Sequence, residues 1–133
     1  MAQLIRKDGL FLTTASIPFK NQDKEESIKL VVDTGAALTI VDTVIMDYLG
    51  YSAKEDGLKK STLDGAGGRS VGYLIKVKQF KCLDFELENF EIACHDMNTR
   101  LGVAGILGMN FLRHFRIDVD FNTGLIHKIE KVI

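Results

Sequence analysis

Apolar residues in this chain come in short runs of Val, Ile, Leu and Phe, each broken within a few positions by Gly, Asn or Asp. Such runs restrict the fold more than any other feature. A strand needs only a handful of residues, whereas a helix with one buried face needs about three turns of unbroken 3.6-residue periodicity. The pattern predicts a mostly β protein with one or two short helices. With 133 residues, 46% hydrophobic residues and a single proline, the chain can bury a core of its own, and residues 1–133 are expected to form one domain.

Residues 10–19 read as an opening strand and 20–26 as a polar turn, and residues 27–32 form a strand running straight into Asp33-Thr34-Gly35. Asp42 is placed to cap a helix over 43–49, with Gly50 as its stop. Strands are predicted at 58–63 and 70–80, joined by the glycine-rich tip Asp64-Gly65-Ala66-Gly67-Gly68. Phe85 and Leu87 alternate in one register and Phe90, Ile92 and Cys94 in the other, so a turn or bulge near Glu88-Asn89 has to absorb the slip. A buried strand over 103–107, a short helix over 109–115 and an alternating strand over 116–121 follow. Asn122-Thr123-Gly124 then turns the chain into a closing strand over 125–132. There is no linker and no internal repeat.

Lys and Arg number 17 against 18 Asp and Glu, which leaves no basic patch for a nucleic-acid backbone. The least polar stretch, residues 101–112, falls short of the roughly 20 apolar residues that a membrane span needs. Charge arrives too early at the N-terminus for a secretory signal. Two cysteines, Cys82 and Cys94, do not make a disulfide framework, so they are expected to be reduced and the compartment cytoplasmic. His95, His114 and His127 lie 19 and 13 positions apart without further ligands at metal spacing, so neither a metal nor a cofactor is expected.

The chemistry gathers at Asp33. Hydrolysis of a peptide bond without a metal or an enzyme nucleophile needs one carboxylate to take a proton from water while another carboxyl gives one to the scissile carbonyl. Two carboxyls about 3 Å apart share a single proton and supply both roles, the behaviour known for paired aspartates. Thr34 can hydrogen-bond beneath such a pair, Gly35 leaves room for backbone amides, and Ala36 completes the turn.

Val31-Val32-Asp33-Thr34-Gly35-Ala36 resembles the active-site loop of the retropepsins, homodimeric aspartic peptidases of retroviruses and their cellular and bacterial relatives. Ala104-Gly105-Ile106-Leu107-Gly108-Met109-Asn110-Phe111-Leu112 is similar to the two-hydrophobics-then-glycine segment of that family and the helix after it. Between them, Asp64, Gly65, Ala66, Gly67 and Gly68 sit where the family carries its flap. A bare Asp-Thr-Gly arises by chance in roughly a few per cent of chains this long, so the weight lies in the order of the three segments.

This resemblance implies a closed, barrel-like β subunit acting as a homodimer, with one Asp33 from each copy and an extended peptide or protein substrate beneath two flaps. Leu38, Ile40, Val103 and Ile106 are the candidates for the substrate groove. Viral members carry an Asp–Arg ion pair near the dimer interface, where this chain has Ala37 and Met109. Only one Asp-Thr-Gly is present, and Asn122-Thr123-Gly124 lacks the carboxylate of a second. The rival reading is a dimerisation or peptide-binding module of the same fold with little or no turnover.

Overall fold

Strand β2 (Leu10–Pro18) pairs antiparallel with β3 (Glu25–Val32), Leu12 opposite Val31 and Pro18 opposite Glu25. Along β3 and the second half of β2, buried residues alternate with more exposed ones, Thr13, Ala15 and Ile17 on β2 and Ile28 and Leu30 on β3 lying inside. The computed structural model describes residues 3–65, 68–97 and 102–133. Among these, β1 (Ile5–Lys7) flanks β2, and β4 (Ile40–Asp42), α1 (Thr43–Tyr48), α2 (Ala53–Asp56), β5 (Lys59–Gly65), β6 (Gly68–Cys82), β7 (Phe85–His95), β8 (Gly105–Leu107), α3 (Met109–Leu112), β9 (Phe115–Asp120) and β10 (Leu125–Lys131) follow β3.

The main sheet runs β1-β2-β3-β8-β4-β7-β6-β5, and a further pairing of β2 with β6, Ala15 opposite Cys82, closes its middle strands into a ring. Closure satisfies the backbone groups that open edges would leave unpaired. β9 and β10 form a separate antiparallel pair. The expectation of a mostly β, closed subunit therefore holds. A helix that the sequence pattern did not reveal is α2, a single turn capped by Ser52, whose Oγ accepts from the Glu55 amide at 3.2 Å; four residues are too few to show helical periodicity.

The ring encloses Ile17, Leu30, Val41, Ile75, Phe80, Ile92 and Leu107, and α3 inserts Phe111 among them without any exposure. Phe111 meets Phe80 edge-on at 5.6 Å between centroids, and Phe80 stacks on Phe90 at 4.4 Å. Each such side chain contributes about 1.5–3 kcal/mol by leaving water.

The register change expected near Glu88-Asn89 takes an unusual form. Val77 pairs with Phe90 and Gln79 with Glu88 in one unbroken register, with Lys78 and Asn89 passed over between them. Buried positions switch from Val77 to Phe80 on β6 and from Leu87 to Phe90 on β7. Both strands thus change face together, and Asn89 turns at a positive φ of 53°, a conformation that Asn tolerates better than most side chains.

Candidate active site

β3 delivers Asp33 to the edge of the ring, and β8 holds it there. Val32 pairs in parallel with Leu107, and the Asp33 amide donates to the Leu107 carbonyl at 3.0 Å. The chain then turns sharply. The Ala36 amide donates to the Asp33 carbonyl at 3.2 Å, and the Gly35 amide donates to Asp33 Oδ1 at 2.8 Å. An N–H bond of this kind fixes the direction in which the carboxylate points.

The loop is clamped from beneath by the start of α3. The Met109 amide donates to the Ala36 carbonyl at 2.7 Å, the Asn110 amide to the Ala37 carbonyl at 3.0 Å, and the Gly108 amide to Thr39 Oγ1 at 3.1 Å. Glycine is required at this crossing. A Cβ on Gly108 would lie 2.3 Å from the Leu38 carbonyl oxygen, and one on Gly105 1.8 Å from that of Ile40, so backbone meets backbone with no room for a side chain.

Thr39 and Asn110 complete the clamp, and sequence reasoning missed their role. Asn110 Oδ1 accepts from both the amide and the hydroxyl of fully buried Thr39, and its Nδ2 donates to the Glu91 carbonyl at 2.9 Å. Asn110 stands in the segment already singled out, but nothing local pairs it with Thr39.

Asp33 and Ala36 are half-buried, Thr34 and Gly35 exposed. Thr34 lines an open apolar recess with Leu4, Val32, Met109, Leu112 and Phe121. Met109 contributes its apolar side chain to this recess while Ala37 is exposed. Leu38, Ile40 and Ile106 come together in one apolar cluster with Leu63, Leu74 and Ala93. Val103 stands apart, beside Ile45 and Tyr48. In the glycine hairpin, Asp64 pairs with Arg69 and Gly65 with Gly68, and the Arg69 Nε donates to Asp64 Oδ1 at 3.0 Å; Ala66 and Gly67 lie outside the described residues. Asn122-Thr123-Gly124 is a hairpin turn, with the Gly124 amide donating to the Asp120 carbonyl and Gly124 at a φ of +79°.

The sequence model of the family described as gag-polyprotein putative aspartyl protease matches residues 22–114, which hold the Asp33 loop, the glycine hairpin and the Gly108 crossing. The chain belongs to this aspartyl protease family. Its structure is similar to that of a retropepsin-like aspartic protease from Rickettsia conorii, with a TM-score of 0.68 and 23% identity over 98% of this chain and 97% of that one. It is also similar to EIAV protease complexed with the inhibitor HBY-793, with a TM-score of 0.53 and 20% identity over 76% of this chain and 84% of that one. At these identities the likeness speaks for the retropepsin-like fold. Among curated proteins, none matches the chain in sequence.

Within this aspartyl protease fold the other reactive side chains are poorly suited to catalysis. Burial pushes the thiols of Cys82 and Cys94 to about 12, so neither is a nucleophile near neutral pH. No group of three or more His, Cys, Asp or Glu gathers in metal-binding geometry among the described residues. The clamped loop presents one carboxylate, which at any instant is either a base or an acid.

Proposed function

We propose that the protein is an aspartic endopeptidase whose Asp33 pairs with the Asp33 of a second copy. The observation that carries this reading is the Asp33 loop itself: its carboxylate is held by the Gly35 amide at 2.8 Å, and its neighbour Thr34 opens onto an uncovered apolar recess. A second copy covering that recess would bring the two loops together and bury residues such as Phe121, 59% exposed in the single chain. The outer edge of β10 offers a second stretch of seam.

In the pair, the ionised carboxylate takes a proton from water as the water oxygen attacks the scissile carbonyl carbon. The protonated partner gives its proton to the carbonyl oxygen. The resulting tetrahedral diol collapses when the amide nitrogen is protonated and the C–N bond breaks, and the shared proton is restored. An extended peptide or protein substrate would lie with apolar side chains against the half-buried Leu38 and Ile106, which are backed by the buried Ile40, covered by the flap at 64–68. Residues 1–133 would act as one domain, as supported by a core that runs from Leu4 to Ile126. The free thiols of Cys82 and Cys94 support a reducing, cytoplasmic setting.

The test is cleavage of an unbiased peptide mixture by wild type and Asp33→Asn between about pH 4 and 7, with mass measured by light scattering. Loss of cleavage in a variant that stays dimeric supports the shared-carboxylate peptidase. An inert wild-type dimer would favour a binding module of the same fold, and a monomer that cleaves would remove the dyad.

A further inference from the structure

His95, at the end of β7, is 1% exposed, and both of its ring nitrogens are engaged by the glycine hairpin. Nδ1 lies 3.0 Å from Ser70 Oγ on β6, and Nε2 lies 3.0 Å from Ser61 Oγ on β5. Ser61 pairs with Gly72 and Leu63 with Ser70, so the two serines stand on the same face of the hairpin and grip the ring from both strands. A neutral imidazole offers one donor and one acceptor, and a hydroxyl can be either, so both bonds are satisfied in either tautomer.

The strand lies close enough for this only because residue 72 is glycine. A Cβ there would come 1.9 Å from the Cys94 carbonyl oxygen and 2.9 Å from His95 Nδ1. Beyond this grip, few contacts hold the outer hairpin among the described residues. Leu63 packs against the Ile40 cluster, but Val71 is exposed, and the Asp64–Arg69 ion pair has both side chains about 70% exposed (73% and 69%), where such pairs contribute little. At its other side, β7 is bonded to the strand that leaves the Asp33 loop: His95 pairs with Asp42 and Ala93 with Ile40, and the Ala93 amide donates to the Thr39 carbonyl at 2.9 Å. The ring therefore sits on the strand that lies between the hairpin and the strand continuous with the active-site loop.

We propose that His95 is the positioning residue of the β5–β6 hairpin, setting through Ser61 and Ser70 how its two strands stand relative to the Asp33 loop. It rests on reading that hairpin as the flap of a peptidase. The residue acts on substrate capture and not on proton transfer, because its ring nitrogens are both occupied by the serines.

The experiment compares the full-length wild type with Ser61→Ala/Ser70→Ala and His95→Asn by amide hydrogen exchange and by peptide cleavage. The expected result is exchange about tenfold faster in residues 59–72 with residues 28–33 and 105–112 unchanged, and a KM about five- to tenfold higher with kcat within about twofold. The single Ser70→Ala variant, altering a half-buried position, gives the same readout in smaller measure should the double variant fail to fold. Unchanged exchange in the hairpin, or acceleration spread equally through the core, would overturn the assignment. Exchange needs no turnover, so an inert wild type would count against the peptidase while the exchange result still decides the role of His95.

Discussion

Asn110 Oδ1 accepts two hydrogen bonds from Thr39, one from its amide and one from its hydroxyl, each 2.8 Å long and spanning 71 positions of sequence. Through Asn110 Nδ2 and the Glu91 carbonyl, the same side chain reaches β7. One amide group thus ties together the strand leaving the active-site loop, the helix beneath it and the neighbouring strand.

Replacing Asn110 by Ala leaves the buried Thr39 amide and the Glu91 carbonyl without these partners. A buried group stripped of its partner costs about 1–3 kcal/mol, so Asn110→Ala should destabilise the protein by about 2–4 kcal/mol in urea denaturation. Asn110→Asp retains the acceptor but loses the donor to Glu91 and should fall between the variant and wild type. A loss under about 0.5 kcal/mol for Asn110→Ala would show that the clamp is not needed.

The recess beside Thr34 should be the dimer seam. Met109 is 37% and Phe121 59% exposed, and both line that recess, so charge placed there need not disturb the folded chain. Met109→Lys with Phe121→Lys should give a folded monomer by light scattering and circular dichroism, with cleavage reduced at least about a hundredfold because the dyad cannot assemble. A doubly substituted dimer with full activity would place the seam elsewhere. Deleting residues 126–133 is a poorer test, since Ile126 is 4% exposed and belongs to the core.

Burial holds the pKa of His95 below its ordinary value of 6.5, with the Asp96 carboxylate opposing the shift. Well above pH 6.5 the ring is neutral in both folded and unfolded chains, and its contribution is fully present. As pH falls below that value the unfolded chain takes up the proton first, so stability declines until the lowered folded pKa is passed. Wild type should therefore lose more stability than His95→Asn between about pH 7.5 and 5 in urea titrations. Equal losses would show that His95 does not titrate in this window.

Much of this architecture was legible in the sequence because it is decided locally. The strand into Asp33, the Asp42 cap on the Val44 amide at 3.1 Å, the Gly50 stop at a φ of +98° and the glycine hairpin each depend on residues a few positions apart. α2 escaped because a single capped turn carries no periodicity. Val103, a groove candidate with Leu38, Ile40 and Ile106, does not join their cluster: Gly105–Leu107 is the part of that segment that forms β8, and Val103, ahead of it, lines a recess beside α1.

By itself, then, the sequence determined the mostly β class, most of the longer strands and the carboxylate on which the chemistry is proposed to rest, since alternation, capping and turn conformations are short-range steric and hydrogen-bonding effects. Only the tertiary structure decided that Thr39 would meet Asn110, that His95 would be gripped by Ser61 and Ser70, and that β2 would close on β6. Those partners are brought together when the ring buries its apolar face, and a polar side chain sealed inside must then bond to whatever group closure has placed beside it.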